Sequence, residues 1–180
     1  MSKLTDFYSG VGPDCEGRML EEILQWGPKR LEFSHDYIQW LFALKEPSNF
    51  NPDAPLLTDE DIALWRANPL MQENLIRSFR VYLDFLGLQA GNDKNPADQD
   101  AFTVEKAPHF EEECRGLFTR ANHNWLRITR VITCLKTIGA PMLVAAADAF
   151  FECLRKLHEE EGLVSENSFN YWQNAAKGTV

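Results

Sequence analysis

The stretch HDYIQWLFALK, residues 35–45, decides the fold class. From Tyr37 to Leu44 only Gln39 is polar. A helix that is apolar nearly all round belongs at the centre of a helical core, and Ser34 stands where an N-cap belongs. The run YIQWLF also has strong β-propensity, so the flanking segments decide the question. On both sides apolar residues recur every three or four positions, and no alternating run appears. The stretch therefore reads as the central helix of an all-α protein.

Working outward, Asp14 caps a helix over residues 15–26, with Met19, Leu20, Ile23 and Leu24 as its apolar face and Gly27-Pro28 as its stop. Residues 46–57 hold three prolines and read as an extended loop. Thr58-Asp59-Glu60-Asp61 has the pattern of a capping box and opens a short helix to about Ala67. Asn68-Pro69 opens a longer one to Leu86, with Leu75, Phe79, Tyr82 and Leu86 on one face. Residues 89–106, which include GNDKNPADQD, read as a mobile polar loop. Helices follow over residues 108–119, 122–138 (with Asn122 as a cap), 141–161 and 166–176. The acidic run Glu159-Glu160-Glu161 sits at a C-terminal end, where the helix dipole disfavours negative charge, so that end is expected to fray. The expectation is a single compact domain over residues 1–180, with about seven helices packed around the central one.

Composition narrows the function classes. With 12 Phe, 5 Trp and 4 Tyr in 180 residues, the chain has ample apolar area for a packed core. Lys and Arg number 18 against 27 Asp and Glu, a net charge of −9, which argues against a basic face for nucleic acid. The longest weakly polar run, residues 140–147, is too short to span a membrane, and the N-terminus lacks the apolar core of a secretory signal. Cys15, Cys114, Cys134 and Cys153 show no ligand spacing and read as free, buried thiols. The expectation is a soluble, cytoplasmic protein without a transmembrane segment.

Four histidines provide no HExxH, HxH or HxxxH spacing, and neither a metal site nor a cofactor is expected. Phosphate-binding glycine loops and nucleophile elbows are also missing from the sequence, so no catalytic residue is assigned. Two polar stripes stand out. In the central helix, His35, Gln39 and Phe42 share one side, and Gln39 is an amide in an apolar stripe that needs a partner. In the helix after Asn122, His123, Arg127, Arg130 and Cys134 fall at i, i+4, i+7 and i+11, while Asn124 points into the apolar side. These groups either stitch helices together or line a polar pocket between the two helices, with Arg127 and Arg130 as an anion or carboxylate site. The binding candidates are His35, Gln39, Trp40, His123, Asn124, Arg127 and Arg130.

The blocks HDYIQWLFALKEPSNFNPDAPLLT, residues 35–58, and ANHNWLRITRVITCLKTIG, residues 121–139, resemble the two signature blocks of the opioid growth factor receptor conserved domain. The likeness is near-literal at Tyr37-Ile38-Gln39-Trp40-Leu41-Phe42, at His123-Asn124 and at Leu126-Arg127-Ile128-Thr129-Arg130. Weaker likeness extends along the chain to FNYWQNA near its end. Ala43 departs from the pattern, which usually has proline there, so the central helix is expected to run on further than in relatives. The resemblance implies an all-helical, non-enzymatic binding module with a peptide or protein ligand. In vertebrate members that ligand is of the enkephalin type, and those members are nuclear or perinuclear and catalogued as membrane-associated. The alternative carried by the residues alone is an enzyme or a small-molecule or anion binder built on the His/Asn/Arg cluster.

Overall fold

The structure, a computed structural model, describes residues 2–48, 51–91, 102–119 and 123–178. It is predominantly helical, as the periodicity predicts, and divides into two compact units, Met1–Val81 and Tyr82–Val180.

The first unit holds α1 (Lys3–Tyr8), α2 (Leu20–Leu24), α3 (Pro28–Phe33), α4 (Tyr37–Leu41), α5 (Asp59–Ala67) and most of α6 (Pro69–Phe85). Ser2 caps α1 by accepting from the Thr5 N–H. That short helix supplies two aromatic rings to the core, Tyr8 edge-on to Trp65 at 4.8 Å and Phe7 edge-on to Trp40 at 5.4 Å. The Tyr8 hydroxyl donates to the Leu41 carbonyl, and the Asn74 amide donates to the Tyr8 carbonyl at 2.8 Å. One helical turn and a half near the N-terminus thus ties α4, α5 and α6 together. The capping box at α5 forms as the sequence predicts: the Thr58 hydroxyl accepts from the Asp61 N–H, and the Asp61 carboxylate accepts from the Thr58 N–H at 3.0 Å.

The central helix is shorter than its hydrophobic run suggests. All five residues of α4 are buried, but the helix stops at Leu41, and Phe42 turns away at φ −136°, ψ 71°. The chain then extends, and Leu44 pairs with Leu56, the Leu57 N–H donating to the Leu44 carbonyl at 2.9 Å. A single parallel bridge at Leu44 takes the place of helix continuation. The expectation that Ala43 lets the helix run on is overturned. The helix expected over residues 15–26 contracts in the same way to α2. Pro28, expected to act as a stop, instead occupies the first turn of α3.

The second unit begins in the last turn of α6. It continues through β1 (Leu88–Gly91) and β2 (Thr103–Lys106), a π-helical turn (Phe110–Cys114), α7 (Gly116–Thr119), α8 (His123–Ile138), α9 (Pro141–Glu159) and α10 (Glu166–Lys177). β1 and β2 pair antiparallel in the register Leu88↔Lys106 to Gly91↔Thr103. Both ends of the loop expected over residues 89–106 are therefore ordered strands; residues 92–101 lie outside the described residues, as does Asn122. Gly87 at φ +72° makes the entry to β1, where a Cβ would sit 2.5 Å from the Cys114 Cβ. Two tryptophans bond the helices: the Trp172 indole donates to the Trp125 carbonyl at 3.1 Å, and Trp125 donates to the Leu117 carbonyl at 2.9 Å. The acidic end of α9 is held by bases, Glu159 by Arg155 and Glu161 by Lys106 at 2.9 Å, which is why the helix persists to Glu159.

Candidate functional site

A cleft of about 1150 Å3 opens in the first unit. One wall is the start of α4 with the residues before it: His35, Asp36, Gln39 and Trp40. His35 is exposed, whereas Gln39 and Trp40 form a buried floor. With its amide turned so that the nitrogen faces back along the helix, the orientation that satisfies both of its ends, Gln39 donates to the carbonyls of His35 at 3.0 Å and Asp36 at 2.6 Å. The polar residue in the apolar stripe thus finds its partners at the N-terminal end of its own helix.

The facing wall is residues 12–16, folded around a carboxylate. Asp14, buried, accepts from the N–H groups of Glu16 and Arg18, both at 2.9 Å, and from the Arg18 Nε at 2.6 Å. The same guanidinium reaches Asp36, with Nη2 at 2.5 Å from Oδ2 and Nη1 at 3.4 Å from Oδ1. Arg18 also lies over the Trp26 ring at 5.3 Å. Partial burial works to raise the Asp36 carboxyl, but the hydrogen bonds and charge of Arg18 outweigh it and hold it below the usual carboxylate range. Burial likewise works to lower the Arg18 guanidinium, and its two carboxylate partners more than compensate.

Residues of α1 and of the chain before α5, among them Lys3, Asp6, Asn51, Asp53 and Leu56, complete the lining. Asp6, Asp14, Glu16, Asp36 and Asp53 are the cleft's carboxylates, against Lys3 and His35 as its basic side chains. With Asp14 and Asp36 engaged by Arg18, the acidic character comes from Asp6, Glu16 and Asp53. Among the described residues no three His, Cys, Asp or Glu side chains gather to hold a metal ion. The arrangement suits reversible binding: a wide polar rim over a floor made by Gln39 and Trp40.

The second stripe is used differently. In the second unit Asn124 and Arg127 are buried and His123 is exposed, with Arg130 half-buried. Arg127 Nη1 donates to the Asn124 Oδ1 at 3.0 Å, and the Tyr82 hydroxyl donates to the Asn124 carbonyl at 3.5 Å. Asn124 thus obtains the partner its position calls for, one turn along its own helix. Of the predicted residues, the first unit's cleft brings together His35, Gln39 and Trp40, while the other four stand on α8. Sequence reasoning missed Arg18 and Asp36 altogether and read Asp14 only as a cap. The available signal was Asp14 and Arg18 four residues apart on either side of a glycine. Cys15, expected to be buried, is exposed on the cleft wall, because the helix predicted to enclose it does not form there.

Residues 4–179 match the family described as "Opioid growth factor receptor (OGFr) conserved region". Among curated proteins, the chain is similar to the human opioid growth factor receptor, 31% identical over 164 residues. That alignment covers 89% of this chain and 23% of the human protein. The mouse receptor is 33% identical over 154 residues, covering 84% of this chain and 23% of its own. Opioid growth factor receptor-like protein 1 of Xenopus tropicalis is 32% identical over 163 residues, covering 89% and 29% respectively. The chain thus spans about a quarter of the length of these relatives. No solved structure matches.

Proposed function

The chain belongs to the opioid growth factor receptor family, and from that premise we propose that it is a non-enzymatic binding module whose cleft beside α4 receives a peptide or a protein segment. The observation that carries this reading is the cleft itself, about 1150 Å3 with His35, Gln39 and Trp40 of the first signature block in its lining. Small-molecule pockets run to roughly 300–1,000 Å3, and a cleft of about 1150 Å3 has room for a peptide segment as well. An enkephalin-type peptide is the first probe, because relatives carry the name opioid growth factor receptor. The Arg127–Asn124 bond gives the second stripe a structural employment and favours the cleft over an anion site or an enzyme built on α8. A cytoplasmic place of action is part of the same proposal; no helix among the described residues is long and apolar enough to cross a membrane.

The test is titration of isotope-labelled protein with an enkephalin-type pentapeptide, followed by nuclear magnetic resonance. Saturable shifts at His35, Gln39 and Trp40 are expected. No shift up to about millimolar peptide, where binding is worth only about 4 kcal/mol, overturns the reading. Shifts confined to His123, Arg127 and Arg130 move the site to α8.

A further inference from the structure

The two facing walls of the cleft are distant in sequence, and one side chain joins them. Residues 12–16 are organised by Asp14, whose side chain is fully buried and whose carboxylate fixes the turn through the Glu16 and Arg18 amides. The Asp14 N–H in turn donates to the Arg18 carbonyl at 2.9 Å, so residues 14–18 form a closed unit. At its start this wall is tied to α1 by the Val11 and Gly12 N–H groups, which donate to the Asp6 carbonyl at 3.0 and 3.1 Å. At its far end the Arg18 guanidinium crosses to Asp36, immediately before α4.

We propose that Arg18 is the positioning residue of this cleft, bridging Asp14 on one wall to Asp36 on the other and so fixing the separation of residues 12–16 from α4 and the capacity of the cleft to bind. The proposal rests on the reading of the cleft as the ligand site. Arginine is suited to the task because its planar fork holds two carboxylates at once in set directions, which a lysine ammonium does not reproduce. The guanidinium also lies 5.3 Å from the centre of the Trp26 ring, which Arg30 approaches more closely at 4.0 Å, and Trp26 packs edge-on against Tyr37 of α4 at 5.6 Å. Of the two carboxylates Asp36 is a third exposed and lines the cleft, so removal of the bridge both frees the wall and changes the charge that a ligand meets there.

The experiment compares the intact chain with Arg18→Lys, Asp36→Asn and a control, Arg77→Lys. Arg77 makes a two-pronged ion pair with Glu21, at 2.6 and 2.9 Å, in the same unit but off the cleft. Two readouts are taken on each: affinity for the enkephalin-type pentapeptide, and hydrogen exchange of residues 12–18 without peptide. Arg18→Lys and Asp36→Asn are expected to weaken the peptide by about tenfold or more and to speed exchange across residues 12–18. Arg77→Lys is expected to leave both unchanged even where it lowers the melting temperature equally. Equal losses in all three variants, or unchanged affinity and exchange in Arg18→Lys, overturn the proposal. If Arg18→Lys does not fold, Asp36→Asn carries the same two readouts. A parent chain that binds no peptide overturns the ligand reading, and the exchange arm still decides whether Arg18 holds the wall.

Discussion

Both signature blocks lie within the region that matches the family, yet they do different physical work. The first makes five buried helical residues and then turns into extended chain, leaving His35, Asp36, Gln39 and Trp40 against an open cleft. The second makes a sixteen-residue helix and spends its central polar pair inside, Arg127 on Asn124. Strong sequence identity therefore does not by itself mark a ligand site. Gln39, like Asn124 and Arg127, is bonded within its own helix, so what sets the first block apart is the open volume beside it rather than unsatisfied polar groups.

Substitutions at the two blocks sharpen this contrast. The largest effect is expected at Trp40, which is 2% exposed and packed on Phe7. Trp40→Ala should cost about 3–5 kcal/mol in urea unfolding, and a loss below about 1 kcal/mol would show that the floor of the cleft is not core. Next comes Arg127→Ala, which leaves Asn124 without its guanidinium and should cost about 1–3 kcal/mol; the half-buried Arg130→Ala should cost less. Melting temperatures at or above the parent's for both would break the contrast and return α8 to the list of binding surfaces.

A smaller effect is expected at Asp36, a third exposed and screened by solvent. Its folded pKa is depressed, so its contribution is complete above the ordinary carboxylate pKa and is lost as pH falls through the lower folded value. Melting curves of parent and Asp36→Asn should therefore differ at about pH 7 and converge as the solution is acidified below the ordinary carboxylate range. A gap that widens in acid would show that the Arg18 pairing does not stabilise the unit. The smallest effect is expected for Ala43→Pro. Phe42, at φ −136°, ψ 71°, has already left the helical region that a following proline disfavours. The substitution should leave stability unchanged or raise it by up to about 1 kcal/mol in the same melts. A loss above that would indicate that the turn after α4 depends on a free backbone at Ala43.

Much of the helical architecture is legible because long amphipathic runs leave a period. The segments giving α6, α8, α9 and α10 read correctly, as does the capping box of α5, whose local bonds depend on residues only three apart. What escaped was short or non-local. α1 has six residues, too few for a period to show, and its value lies in Tyr8 and Phe7 reaching α4 and α5. The β1–β2 ladder joins segments more than ten residues apart, and their composition reads as loop. The cleft was half legible: Gln39 announces itself as an amide in an apolar run, but the partnership of Arg18 with Asp36 spans eighteen residues and no local pattern encodes it.

Cys15 gives the folded chain a chemical asymmetry. It is exposed on the cleft wall, while Cys114, Cys134 and Cys153 are buried. Burial pushes the Cys134 thiol up to about 12 and the Cys153 thiol up to about 11, far from the thiolate that reacts with electrophiles at neutral pH. A maleimide dye added under native conditions should therefore attach at one place without any engineering, and that place adjoins the cleft. The native sequence carries its own fluorescent reporter position for whatever enters there.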